Sequence, residues 1–164
     1  MVENDKMQVG FKPIVNDECV AVILGSMPSE ESLRQQKYYG NPRNHFWELV
    51  YSQFNIPVSY DYAQRCAFLI NHKIALWDVF YSAEREGSLD SNIKNGVPND
   101  FKFFFKRYPN IKCIFFNGSK AEEQFKRSFK DIYNKMQHFS LPSSSPANTK
   151  PISEKKKEWA KIFI

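Results

Sequence analysis

The sequence lacks any histidine or cysteine spacing that would hold a metal. His45, His72 and His138 form no H-x-x-x-H pair, and the three cysteines form no C-x-x-C. A structural zinc needs four such ligands brought together, and three thiols cannot supply a four-thiolate iron–sulfur cluster. We therefore expect no metal and no cofactor. The odd, isolated Cys19, Cys66 and Cys113 read as reduced thiols of a cytosolic protein rather than as a disulfide frame. No apolar run approaches the roughly 20 residues of a membrane span. The opening MVENDKMQVG is too polar for a secretory signal, so a cytoplasmic protein with no membrane partner is expected. Neither G-x-x-x-x-G-K-[ST] nor G-x-S-x-G occurs, which excludes a Walker-type phosphate loop and a hydrolase nucleophile elbow.

What remains is an ordinary soluble composition with two departures. At 164 residues the chain fits a single domain, 1–164, and we expect it to act as a monomer. Aromatics reach 16%, more than a core of this size requires, which is compatible with a site that stacks flat ligands. The net charge is +5, and the segment 100–135, with nine Lys/Arg against four Asp/Glu, accounts for all of it. Such a basic stretch suits a polyanionic partner, although a solvated helix face would read the same way.

Three short, nearly continuous apolar runs, Cys19–Leu24, Ile74–Trp77 and Ile111–Phe116, read as strands covered on both faces. A weaker fourth run is Met136–Leu141. Helical spacing appears between them: Phe46, Trp47, Val50, Tyr51 and Phe54; then Phe101, Phe104, Phe105 and Tyr108, with Asn99 or Asp100 as cap and Pro109 as stop. Ala121, Phe125, Phe129 and Ile132 make one further stripe. Ser153 is placed to cap a last helix burying Trp159, Ile162 and Phe163. This alternation predicts a parallel sheet with helices on both faces.

Ligands of such sheets bind at the carboxyl ends of the strands, and the polar clusters fall there. GSMPSEES (25–32) follows the first strand and WDVFYSAEREGSLD (77–90) continues from the second. NGSK (117–120) follows the third and PSSSPAN (142–148) the fourth. Gly25, Ser26 and Met27 alone describe a turn. Ser143, Ser144 and Ser145 between Pro142 and Pro146 form a stiff loop, either a plain surface turn or a donor set for phosphates. Lys120, at a helix start, adds a cation where helix N–H groups already favour anions.

YYGNPRNHFW (38–47) sets four aromatics around a polar run, and a packed core has no need of those amides or that arginine. ILGSMPSEESLRQQKYYGNPRNHFW, IALWDVFYSAEREGSLDSNI, FFNGSKAEEQF and LPSSSPAN, in that order, resemble the motifs of the uracil-DNA glycosylase superfamily, in its hypoxanthine (deoxyinosine) branch. The resemblance runs from about Val20 to Ile162. It implies a three-layer α/β/α sandwich around a four-stranded parallel sheet and metal-free hydrolysis of an N-glycosidic bond in DNA carrying a deaminated base. Many members carry the water-activating residue in the first loop, where this chain has Ser26-Met27; the branch takes it from the P-R-N segment, here Asn44. Leu141 stands where uracil-removing members have histidine. Gly25, Ser26, Met27 and Asn117 become base-binding positions, with Tyr39 or Phe46 stacking on the flipped base. Lys120 and Ser143, Ser144, Ser145, Pro146, Ala147 and Asn148 become phosphate-contacting or wedging positions. From the residues alone Asn44 is a helix N-cap; the resemblance adds catalysis, and one amide can do both. A uracil- or mismatch-directed glycosylase and a non-catalytic nucleic-acid-binding module are the alternative readings.

If no metal takes part, cleavage of a hypoxanthine-containing duplex should survive EDTA. Activity lost to EDTA and restored by zinc or magnesium would contradict this.

Overall fold

The computed structural model describes residues 7–162. Phe163, expected in the last helix, and the first six residues of the N-terminal segment lie outside that range. The described elements run β1 (Met7–Val9), β2 (Ala21–Gly25), α1 (Glu30–Gln35), α2 (Phe46–Gln53), α3 (Tyr62–Asn71), β3 (Ile74–Asp78), β4 (Phe80–Glu84), β5 (Lys94–Pro98), α4 (Phe101–Arg107), β6 (Cys113–Asn117), α5 (Ser119–Ser128), α6 (Lys130–Lys135), β7 (Gln137–Leu141) and α7 (Ile152–Trp159). A 3-10 turn, Ala160–Ile162, follows α7.

Strands β3, β2, β6 and β7 pair side by side in that order, all parallel. Every residue of β2 and β6 is buried, the physical reason their apolar runs do not alternate. Ile23, Leu76 and Phe115 turn to one face, under Phe46, Trp47 and Leu49 of α2, Phe68 of α3 and Trp159 of α7. Val22, Leu24, Ile114 and Phe116 turn to the other, under Phe101 and Phe104 of α4 and Phe125 of α5. The result is the expected α/β/α sandwich.

Several local details differ from expectation. Strands β2 and β6 begin two residues late and β7 one, β3 begins at Ile74 as expected, and β2, β3 and β6 run one residue further, so Gly25, Asp78 and Asn117 are strand ends rather than loop residues. Asp100 caps α4, its Oδ1 accepting from Phe103 N–H at 3.0 Å, while Asn99 Nδ2 donates to the carbonyl of Asp78. Ser153 is not a cap; α7 begins at Ile152 behind Pro151, and no side chain caps it. The stripe from Ala121 to Ile132 is two helices broken at Phe129, whose φ of −135° and ψ of 52° are not helical.

A second, antiparallel sheet, β1–β4–β5, was not expected. Its middle strand β4 begins one residue after β3 ends, so the chain turns out of the parallel sheet at Val79. Two helices were also missed: α1, capped by Ser29 Oγ accepting from Ser32 N–H, and α3, capped by Asp61.

Gly118 joins β6 to α5 with φ +93° and ψ 159°, a region open almost to glycine alone. A Cβ there would also lie 3.2 Å from Ser143 Cβ. Gly118→Ala should therefore cost about 1–3 kcal/mol of stability, read as a lowered urea midpoint. An unchanged midpoint would contradict the strain.

Candidate functional site

The carboxyl ends of β2, β3, β6 and β7 open into one cleft of about 810 Å³, within the range of small-molecule sites. Gly25 is at its floor because nothing larger fits: a Cβ would meet Asp78 Oδ1 at 2.6 Å and the Tyr39 hydroxyl at 2.7 Å. Ser26 Oγ, beside it, donates to Asp90 Oδ1 at 2.6 Å. Met27 lines the same wall while packing against Phe80.

Asn117, the last residue of β6, closes the structure across the top. Its Nδ2 donates to the Tyr39 hydroxyl at 3.0 Å and to Ser144 Oγ at 2.9 Å, and its Oδ1 accepts from Ser144 N–H at 2.9 Å. The amide expected to read a base edge is thus already engaged, holding two loops to the sheet. One carbonyl lone pair is left for a ligand.

Of the consecutive tyrosines, Tyr38 belongs to the core and its hydroxyl donates to the Lys12 carbonyl. Tyr39, at φ 53°, takes the site position. Burial, then the Asp78 charge, keeps its phenol well above the ordinary range, so it remains a neutral hydroxyl. Phe46 does not reach the cleft. It is 0% exposed and stacks under the Tyr39 ring at 4.0 Å between centroids, so it supports the aromatic surface from behind instead of offering one. Of the two aromatics expected to stack a base, Tyr39 alone lines the cleft.

Asn44 lines the cleft too, half-buried, just before α2. The N-cap of α2 is His45, without a side-chain cap bond, and not Asn44 as the sequence suggested; from one residue further back, Asn44 Oδ1 accepts from Phe46 N–H, the first of the helix, at 2.9 Å. That bond uses one of two carbonyl lone pairs. The other, and the Nδ2 donor, are free of protein partners.

The 143–148 loop forms the opposite wall, and all six of its residues line the cleft. Ser143 Oγ accepts from Ser145 N–H and Ser145 Oγ from Ala147 N–H. Each hydroxyl keeps its own proton to donate outward. Pro146 and Ala147 are exposed at the rim. Behind the loop, Lys155 is 0% exposed, and its Nζ donates to the carbonyls of Asn148 and Ser145 at 3.0 and 3.4 Å. Lys120, expected at the site, is absent from the lining; the lysine that lines it is Lys150, paired with Glu158 at 3.1 Å.

Sequence reasoning missed Asp78 and Asp90. Asp78 is 4% exposed at the cleft floor, and its Oδ2 is buried without a hydrogen-bond partner. Desolvation first, and then the Asp90 charge, push its carboxyl up to about 7, against a smaller opposing pull from Arg85. Among the described residues no cluster of three or more His, Cys, Asp or Glu is arranged to hold a metal, and no described helix is long and apolar enough to cross a membrane.

The family model of the Uracil DNA glycosylase superfamily matches residues 13–164. A protein of Methanosarcina barkeri named hypoxanthine DNA glycosylase is 37% identical over 157 residues, covering 94% of this chain and 96% of that protein. A Methanosarcina acetivorans protein of the same name is 38% identical with the same coverage. A solution NMR structure of a protein from Methanosarcina acetivorans superposes with a TM-score of 0.84 at 37% identity, covering 96% of each chain.

The raised Asp78 carboxyl has a consequence for stability. Its folded value, about 7, lies above the model-compound value of 3.8, so the fold prefers the neutral acid. The stability it contributes is present at low pH, is lost as pH rises between those two values, and is flat above them. Asp78→Asn removes the titration. It should raise the melting temperature at pH 8, by a stabilisation of up to about 4 kcal/mol, and the gain should shrink towards pH 4. A gain equal at both pH values would contradict the assignment.

Proposed function

The chain belongs to the uracil DNA glycosylase superfamily, and from that premise we propose that its substrate base is hypoxanthine, excised from DNA that carries deoxyinosine. The chain is a DNA glycosylase, and the two relatives named for hypoxanthine support that choice of base. Leu141 supports it further. It is 3% exposed and apolar where a departing uracil would need a cationic or hydrogen-bonding partner.

A base in duplex DNA must leave the stack before its sugar bond can be reached, and a mispaired base such as hypoxanthine flips most readily. In our reading the Ser143–Asn148 loop grips the flanking phosphates through the free protons of Ser143 and Ser145. Pro146 and Ala147 at the rim take the space the base vacates. The flipped purine enters above Gly25, Ser26 and Met27 and lies on Tyr39, which Phe46 keeps from tilting. Asn117 holds Tyr39 and the loop in register and offers its remaining lone pair to the base. The basic 100–135 segment, including Lys120, adds longer-range attraction for the polyanion. We further take the whole chain as one domain that works as a monomer in the cytoplasm, on nucleoid DNA.

The observation that carries the reading is Asn44. It lines the cleft, and its carbonyl accepts from Phe46 N–H with one lone pair and keeps the other free of protein partners. An amide is too weak a base to remove a proton, but it can hold a water against the anomeric carbon as the sugar becomes oxocarbenium-like.

If Asn44 orients that water, Asn44→Ala should slow single-turnover excision of hypoxanthine about a hundredfold, with duplex binding nearly intact. Loss of the bond to Phe46 N–H should also cost about 1 kcal/mol of stability. Asn44→Asp, which can both accept from Phe46 N–H and hold a water, should keep more activity than Asn44→Ala at equal folded fraction. A lowered melting point with an unchanged cleavage rate would reduce Asn44 to a structural acceptor for the start of α2. Parallel duplexes carrying uracil and xanthine test the base assignment, and faster cleavage of uracil than of hypoxanthine would overturn it.

A further inference from the structure

The cleft has a way to hold the attacking water but shows no way to neutralise the departing base. Breaking the bond between C1′ and N9 leaves the electron pair on the purine, and a purine anion is a poor leaving group in a partly dry site. Elsewhere in the lining no free cation answers it. Among the described cleft-lining residues the only cation is Lys150, and it is paired with Glu158 at 3.1 Å. Leu141 gives that wall an apolar side chain. Lys155 is spent on the carbonyls of Asn148 and Ser145 behind the loop.

One polar side chain at the floor is uncommitted. Asp78 is 4% exposed, lines the cleft, and neither of its oxygens is hydrogen-bonded within the protein, Oδ2 being fully buried. A buried carboxyl without donors has nothing to stabilise its charge. Its surroundings reinforce this from each packed element. Asp90, from the 3-10 turn Asp90–Asn92, adds a like charge while its own Oδ1 is occupied by Ser26 Oγ. Tyr39 and Tyr38 present neutral phenols. Gly25 of β2 presents only backbone. Arg85, just beyond β4, is the one opposing group, and its guanidinium is turned to the Pro28 carbonyl and Gln8 Oε1.

We propose that Asp78 is the general acid of the reaction, donating its proton to N7 of the flipped purine as the C1′–N9 bond breaks. This rests on the reading that the base is a purine. The bonding pair passes to the purine, which leaves neutral because N7 has gained the proton. Water adds to C1′ and releases a proton to solvent, and Asp78 is reprotonated from solvent, so the cycle is a net hydrolysis. The site then divides its labour across the cleft: Asn44 serves the sugar and Asp78 serves the base. The carboxyl, pushed up to about 7, carries its proton at and below neutral pH, and a proton donor works best with a pKa near the working pH.

The test is single-turnover cleavage at saturating enzyme across pH 5–9, on duplexes carrying deoxyinosine or 7-deazadeoxyinosine. With deoxyinosine, the wild-type rate should be level below about 7 and fall about tenfold per pH unit above it. Asp78→Asn, similar in shape and unable to donate an acidic proton, should cut the plateau rate by about a hundredfold and flatten the profile. Its dissociation constant for the deoxyinosine duplex should stay within threefold of wild type. On 7-deazadeoxyinosine, which lacks the accepting nitrogen, wild type and Asp78→Asn should be equally slow. Asp78→Asn cleaving deoxyinosine at the wild-type rate with the wild-type pH profile would overturn the proposal. So would a loss of binding in proportion to rate, which would make Asp78 a holder of the base. A wild-type protein that cleaves no deoxyinosine duplex would instead remove the function proposed above, and this inference with it.

Discussion

The side-chain amide of Asn117 is the point on which the site's geometry depends. It takes part in three hydrogen bonds, two with Ser144 and one with the Tyr39 hydroxyl; the Ser144 pair is buried, where such bonds are strong and their loss is costly, and the Tyr39 bond is partly so. Strand pairing fixes where the amide stands, because Asn117 lies opposite Leu141 in the register of β6 and β7. The sheet thus positions one side chain, and that side chain positions two loops distant in sequence. Gly118 makes the arrangement possible by turning the chain sharply before α5. Without the clasp, neither Tyr39, in a left-handed backbone conformation, nor the serine loop would have a link to the sheet's carboxyl edge at this point.

The second constraint is electrostatic. The floor holds two carboxyls, Asp78 and Asp90, and the back of the loop holds a buried ammonium, Lys155. Neither group meets an opposite charge directly. Asp78 responds by retaining its proton, and burial lowers the pKa of Lys155, with Lys150 adding a smaller push. Uncompensated groups of this kind are expensive to bury, and they cluster at functional sites because reactivity requires them. Here Asp78 lies at the cleft floor and Lys155 directly behind the 143–148 loop.

The parallel sheet was legible in the sequence because strands covered on both faces must be apolar throughout, and Ala21–Gly25 and Cys113–Asn117 are. The antiparallel sheet was not. Met7–Val9 is three residues long, Lys94–Pro98 contains both Gly96 and Pro98, and Phe80–Glu84 follows β3 so closely that it reads as its continuation. Helix α3 hid because Tyr62, Phe68 and Leu69 are diluted by polar neighbours and only the last two are buried. At the site, the serine loop and the 38–47 segment could be found from local composition and motif order. Asp78 could not, since its character comes first from burial that no local window records, and then from Asp90, twelve positions away by number. Phe46 was misplaced for a related reason: helical spacing identified its apolar face but not that Tyr39 would lie between it and the cleft.

Lys155 helps to fix the conformation of the 143–148 loop. Its ammonium draws the carbonyls of Ser145 and Asn148 inward, and the Ser144 carbonyl is held from the same side by His45 N–H at 3.0 Å. These three carbonyls are occupied internally, while the Ser143 and Ser145 hydroxyls keep uncommitted protons to offer a phosphate. The nitrogen of His45 that secures the loop belongs to the residue directly after Asn44. The 143–148 loop and the Asn44 amide are therefore joined through one short connection. Because these internal hydrogen bonds hold both, binding need spend little free energy on arranging them. A flipped nucleotide would meet a surface already shaped, with the cost of recognition concentrated in extracting the base from the duplex.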